Sequence, residues 1–159
     1  MFFQEKEPVK RVEKFLEEFD TNLKVIQLNT SARTAVEAAS SLGCDVGAIV
    51  KSLVFKTDDK FTLFLVAGDK KASLNQIKKL LKIKDVSMAS ADEVKNVTGF
   101  SIGGVSPIGH IKKIDIFIDE SLKRFTSLFA AAGHPNCIFE IDFNNLQKIT
   151  KGSIKEISE

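Results

Sequence analysis

The chain contains no Trp and no Tyr, and its 13 Phe carry all of its Phe/Trp/Tyr aromaticity. A platform for stacking bases would have to be built from Phe alone, and most of these Phe lie in apolar runs that read as core. The two cysteines, Cys44 and Cys137, form no C-x-x-C pair and no disulfide framework, so a reducing cytosol is the simplest setting. The two histidines are His110 and His134. His134-x-x-Cys137 is too sparse for zinc, which takes four ligands or three plus water, and no metal or other cofactor is expected. No apolar run approaches the roughly 18 residues needed to span a bilayer. The opening MFFQEKEPVK turns charged at Glu5, just after two Phe and a Gln, unlike a secretory leader. Metalloprotease H-E-x-x-H, the phosphate-binding G-x-x-x-x-G-K-[ST] and the G-x-S-x-G nucleophile elbow are all missing.

What is present fits one globular domain over residues 1–159, with its core at about 25–150. A length of 159 residues with 43% hydrophobic and 28% charged residues suffices for a real hydrophobic interior. The net charge of +2 says little, but its distribution says more. Between Gly68 and Lys84, six lysines (Lys70, Lys71, Lys78, Lys79, Lys82 and Lys84) stand against one acid, Asp69. Lys112–Lys113 and Lys123–Arg124 are further clusters. Such clusters can dock a phosphate backbone or simply solvate helix faces.

Helical spacing of Val12, Phe15, Leu16 and Phe19 predicts an amphipathic helix from Pro8 to Phe19. Val25–Leu28 is a short strand. Thr34–Leu42 is an Ala-rich helix ending at Gly43, and Asp45 opens a short turn toward Val50. Ser52–Lys56 and Phe61–Val66, separated by Thr57–Lys60, predict a hairpin. Ser73 with Gln76, and Ser90 with Glu93, read as capping boxes before two helices, the second ending at Gly99. Gly99–Gly109 packs four glycines and a proline into an ordered loop. Ile114–Ile118, Thr126–Ala132 and Cys137–Ile141 read as strands, the last two joined by the turn Gly133–Asn136. Phe143–Ile149 is a last short helix and Ser153–Ile157 a frayed strand. The hairpins exclude an all-parallel sheet, so the expected class is α+β, with a mixed, curved, barrel-like sheet flanked by helices.

Three features could carry chemistry. Lys51 lies between the apolar GAIV and the strand SLVF, where a lysine directs its ammonium into a cleft or out along the rim. In the loop, Gly103 and Gly104 leave room for a ligand against the backbone, Pro107 stiffens the turn and Gly109 allows positive φ. Amide groups there could be aimed at a carbonyl oxygen or a phosphate. Cys44, beside a helix start that could acidify its thiol, would serve a thiol or ester hydrolase. The competing reading is a small core cysteine, and neither histidine is near it in sequence.

Four segments occur in a telling order: VKSLVFK (Val50–Lys56), VAGDKK (Val66–Lys71), TGFSIGGVSPIGH (Thr98–His110) and AAGHPNCIFEI (Ala131–Ile141). With NTSARTAVEAASSLGCDVGAIVKS (Asn29–Ser52) ahead of them, the chain resembles the YbaK/prolyl-tRNA-synthetase-associated domains over about Val25–Thr150. The resemblance implies a free-standing enzyme that hydrolyses the ester of mischarged aminoacyl-tRNA, gripping its acceptor end, with a synthetase as a further partner and with no role at a membrane or on DNA. It implies a small or polar amino acid (Ala, Cys, Ser or Thr) and help from the neighbouring ribose hydroxyl. The family's essential lysine corresponds to Lys51 and its substrate loop to Gly103, Gly104, Ser106, Pro107 and Gly109. Further pocket positions correspond to Asp119, Ser121, Gly133 and Asn136. Lys70, Lys71, Lys78, Lys79 and Lys82 would then face the tRNA backbone. The alternative is a non-catalytic module of the same fold that binds tRNA or a synthetase.

Overall fold

The computed structural model describes residues 3–159; Met1 and Phe2, from the opening stretch read above, lie outside the described residues. The first helix, α1 (Glu7–Phe19), starts with a proline in its first turn, where the ring's fixed φ suits a helix and no amide hydrogen is missed. It buries Val9, Val12 and Leu16, while Phe15 and Phe19 stay partly exposed at the edge of that stripe. The short β1 (Ile26–Gln27) leads to α2 (Ala35–Leu42), capped by the Thr34 hydroxyl and closed by Gly43 in the left-handed region. The hairpin is longer than expected: β2 is Ile49–Thr57 and β3 is Lys60–Ala67. Lys51 is therefore the third residue of a nine-residue strand rather than the residue before a strand.

Helix α3 (Leu74–Leu81) has half of its expected capping box. Ser73 accepts from the Gln76 amide, but the Ser73 amide donates to the carbonyl of Ile157, a tertiary bond in place of the side-chain return. Then comes β4 (Val86–Met88), three residues too short to show a period. Helix α4 (Ala91–Thr98) carries the complete Ser90–Glu93 box and ends at Gly99. Strand β5 (Asp115–Asp119) runs into a 3₁₀ turn over Glu120–Arg124. Strands β6 (Leu128–His134) and β7 (Cys137–Ile141) form the second hairpin, α5 spans Phe143–Thr150, and β8 spans Ser153–Lys155.

All eight strands belong to one mixed sheet, ordered β1-β7-β6-β2-β3-β5-β8, with β4 also on β2. The β2–β6, β3–β5 and β5–β8 pairs are parallel and the rest antiparallel. Alternation along β2 and β3 divides the interior. Val50, Val54, Leu63 and Leu65 join the main core with α1, Phe100 and Phe139. Phe55, Phe64 and Val66 pack on the other face with Ile77 of α3, and Ile49 packs with α2.

Candidate active site

Strand β2 changes neighbours along one edge. At its start, Ile49 and Val50 pair with Phe129 and Ala130 of β6. At its end, Phe55–Thr57 pair with β4. Between them lie Lys51, Ser52 and Leu53, with β3 on one side and no strand on the other. The Gly68 amide donates to the Ile49 carbonyl, 2.8 Å, so the odd-numbered residues of β2 turn their backbone polar groups toward β3. The even-numbered ones face the interrupted edge, as Val54 does when its carbonyl accepts from the Ala89 amide, 3.1 Å. Ser52 is the even-numbered residue within the gap. Its N–H and C=O point into it, and its Oγ is buried without a hydrogen-bond partner.

A cavity of about 350 Å³ opens at this gap. Its walls are mostly apolar: Ala35 and Ala38 of α2, Ile49, Leu53 and Val54 of β2, Met88, Val94, Phe129 and Ile138. Lys51, Ser52, Arg33 and Gly103 also line it. The alanines of α2 matter because small side chains leave the space open. The Lys51 ammonium donates to the Lys70 carbonyl. Burial pushes its pKa down from the ordinary 10.5, and the Asp69 carboxylate partly opposes this. Asp69 is itself held by Arg124 in a two-pronged pair, 2.6 and 2.9 Å. A fixed positive charge thus stands at the lip of an apolar cavity.

The glycine loop is ordered because it is anchored from both ends and from below. Phe100, Val105 and Ile108 are core residues. Arg11 of α1 donates to the Gly109 carbonyl, 2.5 Å, and lies over the Phe100 ring. His110 Nε2 bonds the Ser106 carbonyl, 2.7 Å, and burial holds that imidazole below its ordinary pKa, with Ser106 opposing and Arg11 reinforcing the shift. Gly103 has φ +96°, and the Arg33 stem lies where a Cβ would be, its Cγ 2.8 Å from that point. Gly104 is bare for a different reason: a Cβ there would stand 2.8 Å from the His134 amide nitrogen, and its carbonyl accepts from the Gly133 amide, 3.0 Å. The close approach is to strand β6.

Lys51 and Gly103 share the cavity; the other expected positions are elsewhere. Ser106 is buried. Pro107 and Gly109 line a second cavity, of about 450 Å³, which shares no lining residue with the first. Asp119 is buried and receives bonds from Ser121, Ile157 and Ser158. Gly133 abuts Pro8, and Asn136 bonds the Leu28 carbonyl while its amide donates to His134 Nδ1. Lys71, Lys79 and Lys82 are exposed and Lys70 and Lys78 half-buried; none lines either cavity. Cys44 packs against the α2 cluster, and burial together with Asp45 raises its pKa, the wrong direction for an activated thiol. Ser52 and Arg33 received no role from the sequence. Only their places beside Lys51 and the α2 cap hinted at one.

The mixed sheet of this α+β domain is thus interrupted over a cavity, with a lysine and part of the glycine loop at that gap, the concave and mostly apolar kind of place that small-molecule sites favour. Residues 29–149 match the model of the aminoacyl-tRNA editing domain. The chain belongs to that family. It is 36% identical over 123 residues to the proline–tRNA ligase of Caldicellulosiruptor bescii, covering 76% of this chain but 21% of the ligase. It is 34% identical over 127 residues to the uncharacterized protein YwhH of Bacillus subtilis, covering 79% of this chain and 80% of YwhH. A solved structure of a proposed trans-editing enzyme for prolyl tRNA synthetase superimposes with a TM-score of 0.90 at 36% identity, covering 97% of this chain and 98% of the other.

Proposed function

We propose that this chain is a cytoplasmic deacylase acting in trans on mischarged tRNA, cleaving the ester between a small amino acid and the terminal ribose. The interrupted edge of β2 carries the reading: a strand amide, a fixed lysine and a glycine loop open into one cavity of amino-acid size. In the reaction, water adds to the ester carbonyl carbon, the C–O bond to the ribose breaks, and the ribose oxygen leaves as a hydroxyl. The Ser52 N–H, on a rigid strand, is a donor for the oxygen that becomes negative. Removal of one such donor costs about 2.7–4 kcal/mol in comparable sites. Lys51 adds a positive charge beside it, and the neighbouring ribose hydroxyl assists the water.

The apolar walls favour alanine, whose methyl gains from burial, with Cys, Ser and Thr as the remaining candidates. A serine hydroxyl could pair with Ser52. Likeness to proline–tRNA ligases and to a structure linked to prolyl tRNA synthetase supports the tRNA for proline as carrier. Likeness to that structure, a proposed trans-editing enzyme, supports action in trans. Among the described residues no helix is long and apolar enough to cross a membrane.

The test is a deacylation panel on proline tRNA carrying Ala, Cys, Ser, Thr or Pro. The alanyl ester should be lost fastest and the prolyl ester spared. Lys51→Ala should lower the alanyl rate by at least about tenfold with an unchanged melting temperature. An equally stable mutant of wild-type rate removes Lys51 from the mechanism. A wild type that binds tRNA and hydrolyses no ester leaves the non-catalytic module standing.

A further inference from the structure

Arg33 stands at the same cavity, yet nothing in the proposed chemistry uses it. The chain has three arginines. Arg11 pairs with Glu7 and Arg124 with Asp69; among the described residues Arg33 has no carboxylate partner. Its side chain is exposed, but it is not loose in one respect: the stem lies on Gly103, with Cγ, Nε and Cδ 2.8, 3.3 and 3.4 Å from where a Cβ would sit. The absence of a side chain at Gly103 is what lets the arginine lie there. His134 is held below its ordinary pKa by burial, and then by the charges of Lys6 and Arg33, so Arg33 and a second cation act together on this edge of the glycine loop.

We propose that Arg33 is a substrate-binding residue that seats the 5′-phosphate of the terminal nucleotide of the tRNA. The inference rests on the deacylase reading. When the ester carbonyl lies against Ser52, the terminal ribose is at the cavity mouth, and the anion one ribose away is that phosphate. A guanidinium suits it: planar, always charged and able to donate two parallel hydrogen bonds to phosphate oxygens. Arg33 and Lys51 then hold the two ends of one nucleotide, the lysine beside the reacting ester and the arginine on the phosphate. Gly103, between them, serves both by keeping the floor flat.

The experiment compares alanyl-tRNA with two fragments, 2′(3′)-O-alanyl-adenosine and the same ester bearing a 5′-phosphate. Wild type, Arg33→Ala and Arg33→Lys are assayed, with thermal melts confirming that the exposed substitutions leave the fold intact. Wild type should favour the phosphorylated fragment at least tenfold in kcat/KM, through KM. Arg33→Ala should lose that preference, its kcat/KM on the phosphorylated fragment falling to its own value on the unphosphorylated one, and Arg33→Lys should keep part of it. On alanyl-tRNA, kcat/KM of Arg33→Ala should depend less steeply on salt, by about the one phosphate no longer contacted. The seat is overturned if wild type deacylates alanyl-tRNA without preferring the phosphorylated fragment, or if Arg33→Ala keeps the preference. A wild type inert on alanyl-tRNA as well would overturn the deacylase reading itself, a distinguishable result.

Discussion

Asp119 is a carboxylate buried to 1% exposure that nonetheless stays charged. Burial alone would raise its pKa. The hydrogen bonds from Ser121, Ile157 and Ser158 outweigh that and hold it below the ordinary 3.8. Two of these bonds come from the amides of Ile157 and Ser158, at 2.7 and 2.9 Å, so this side chain fastens the C-terminal segment to the end of β5. A carboxyl held below its unfolded value contributes stability that is complete above pH 3.8 and is lost as pH falls through the folded value. Asp119→Asn, with an amide nitrogen where an acceptor is needed, should cost at least about 2 kcal/mol at neutral pH. It should also lose less than wild type between pH 5 and pH 3, as urea melts at each pH would measure. An equal acid sensitivity in both proteins would mean that other carboxylates dominate. The sequence supplied the residue and, through the family resemblance, an expectation of a pocket position. Beyond the neighbouring Ser121, its bonding partners lie 38 and 39 residues onward, a distance no local pattern bridges.

At the scale of elements, the local signals and the tertiary ones separate cleanly. Helices α2 and α4 begin and end where their caps are written, because Thr34, Ser90, Gly43 and Gly99 act within one turn of themselves. Strand β4 was not legible: its three residues take their conformation from pairing with β2. The gap beside Ser52 was not legible either, since it exists because β4 and β6 reach opposite ends of the same edge. The glycine loop was read as a loop, but of the two glycines expected to leave room for a ligand, Gly104 makes way for the β6 backbone. Both partners there are backbone, so neither yields cheaply. Gly104→Ala should cost about 1–3 kcal/mol of overpacking, lower the melting temperature by several degrees and, by displacing Gly103, slow deacylation at least about tenfold. Gly43→Ala is the comparison. At φ +68° with open space around it, it should cost about 1–2 kcal/mol and leave the rate alone. A stable, fast Gly104→Ala would detach the loop from the cavity.

For the whole molecule, charge and topology make separate contributions. The Lys70 carbonyl holds the Lys51 ammonium, so the stretch Lys70–Lys71 borders the cavity lip, with the basic last turn of α3, Lys78 and Lys79, following in the chain. If these lysines and Lys82 track the acceptor stem, tRNA affinity should fall steeply with salt. Reversing Lys78 and Lys79 to Glu should weaken binding and flatten the slope by roughly the phosphates no longer neutralised. An unchanged slope, read by filter binding over a salt series, would make them a solvated face. The interrupted edge of β2 has a consequence that can be followed without any turnover. Protection from deuterium exchange reports which amides are tied into the sheet. Lys51 and Leu53 face β3 and should exchange slowly. Ser52, between them, should exchange orders of magnitude faster, a single labile amide inside a protected strand. A non-hydrolysable alanyl-adenosine amide should slow that one position by offering its carbonyl as the missing acceptor, so that the ligand serves for its residence time as a piece of the sheet.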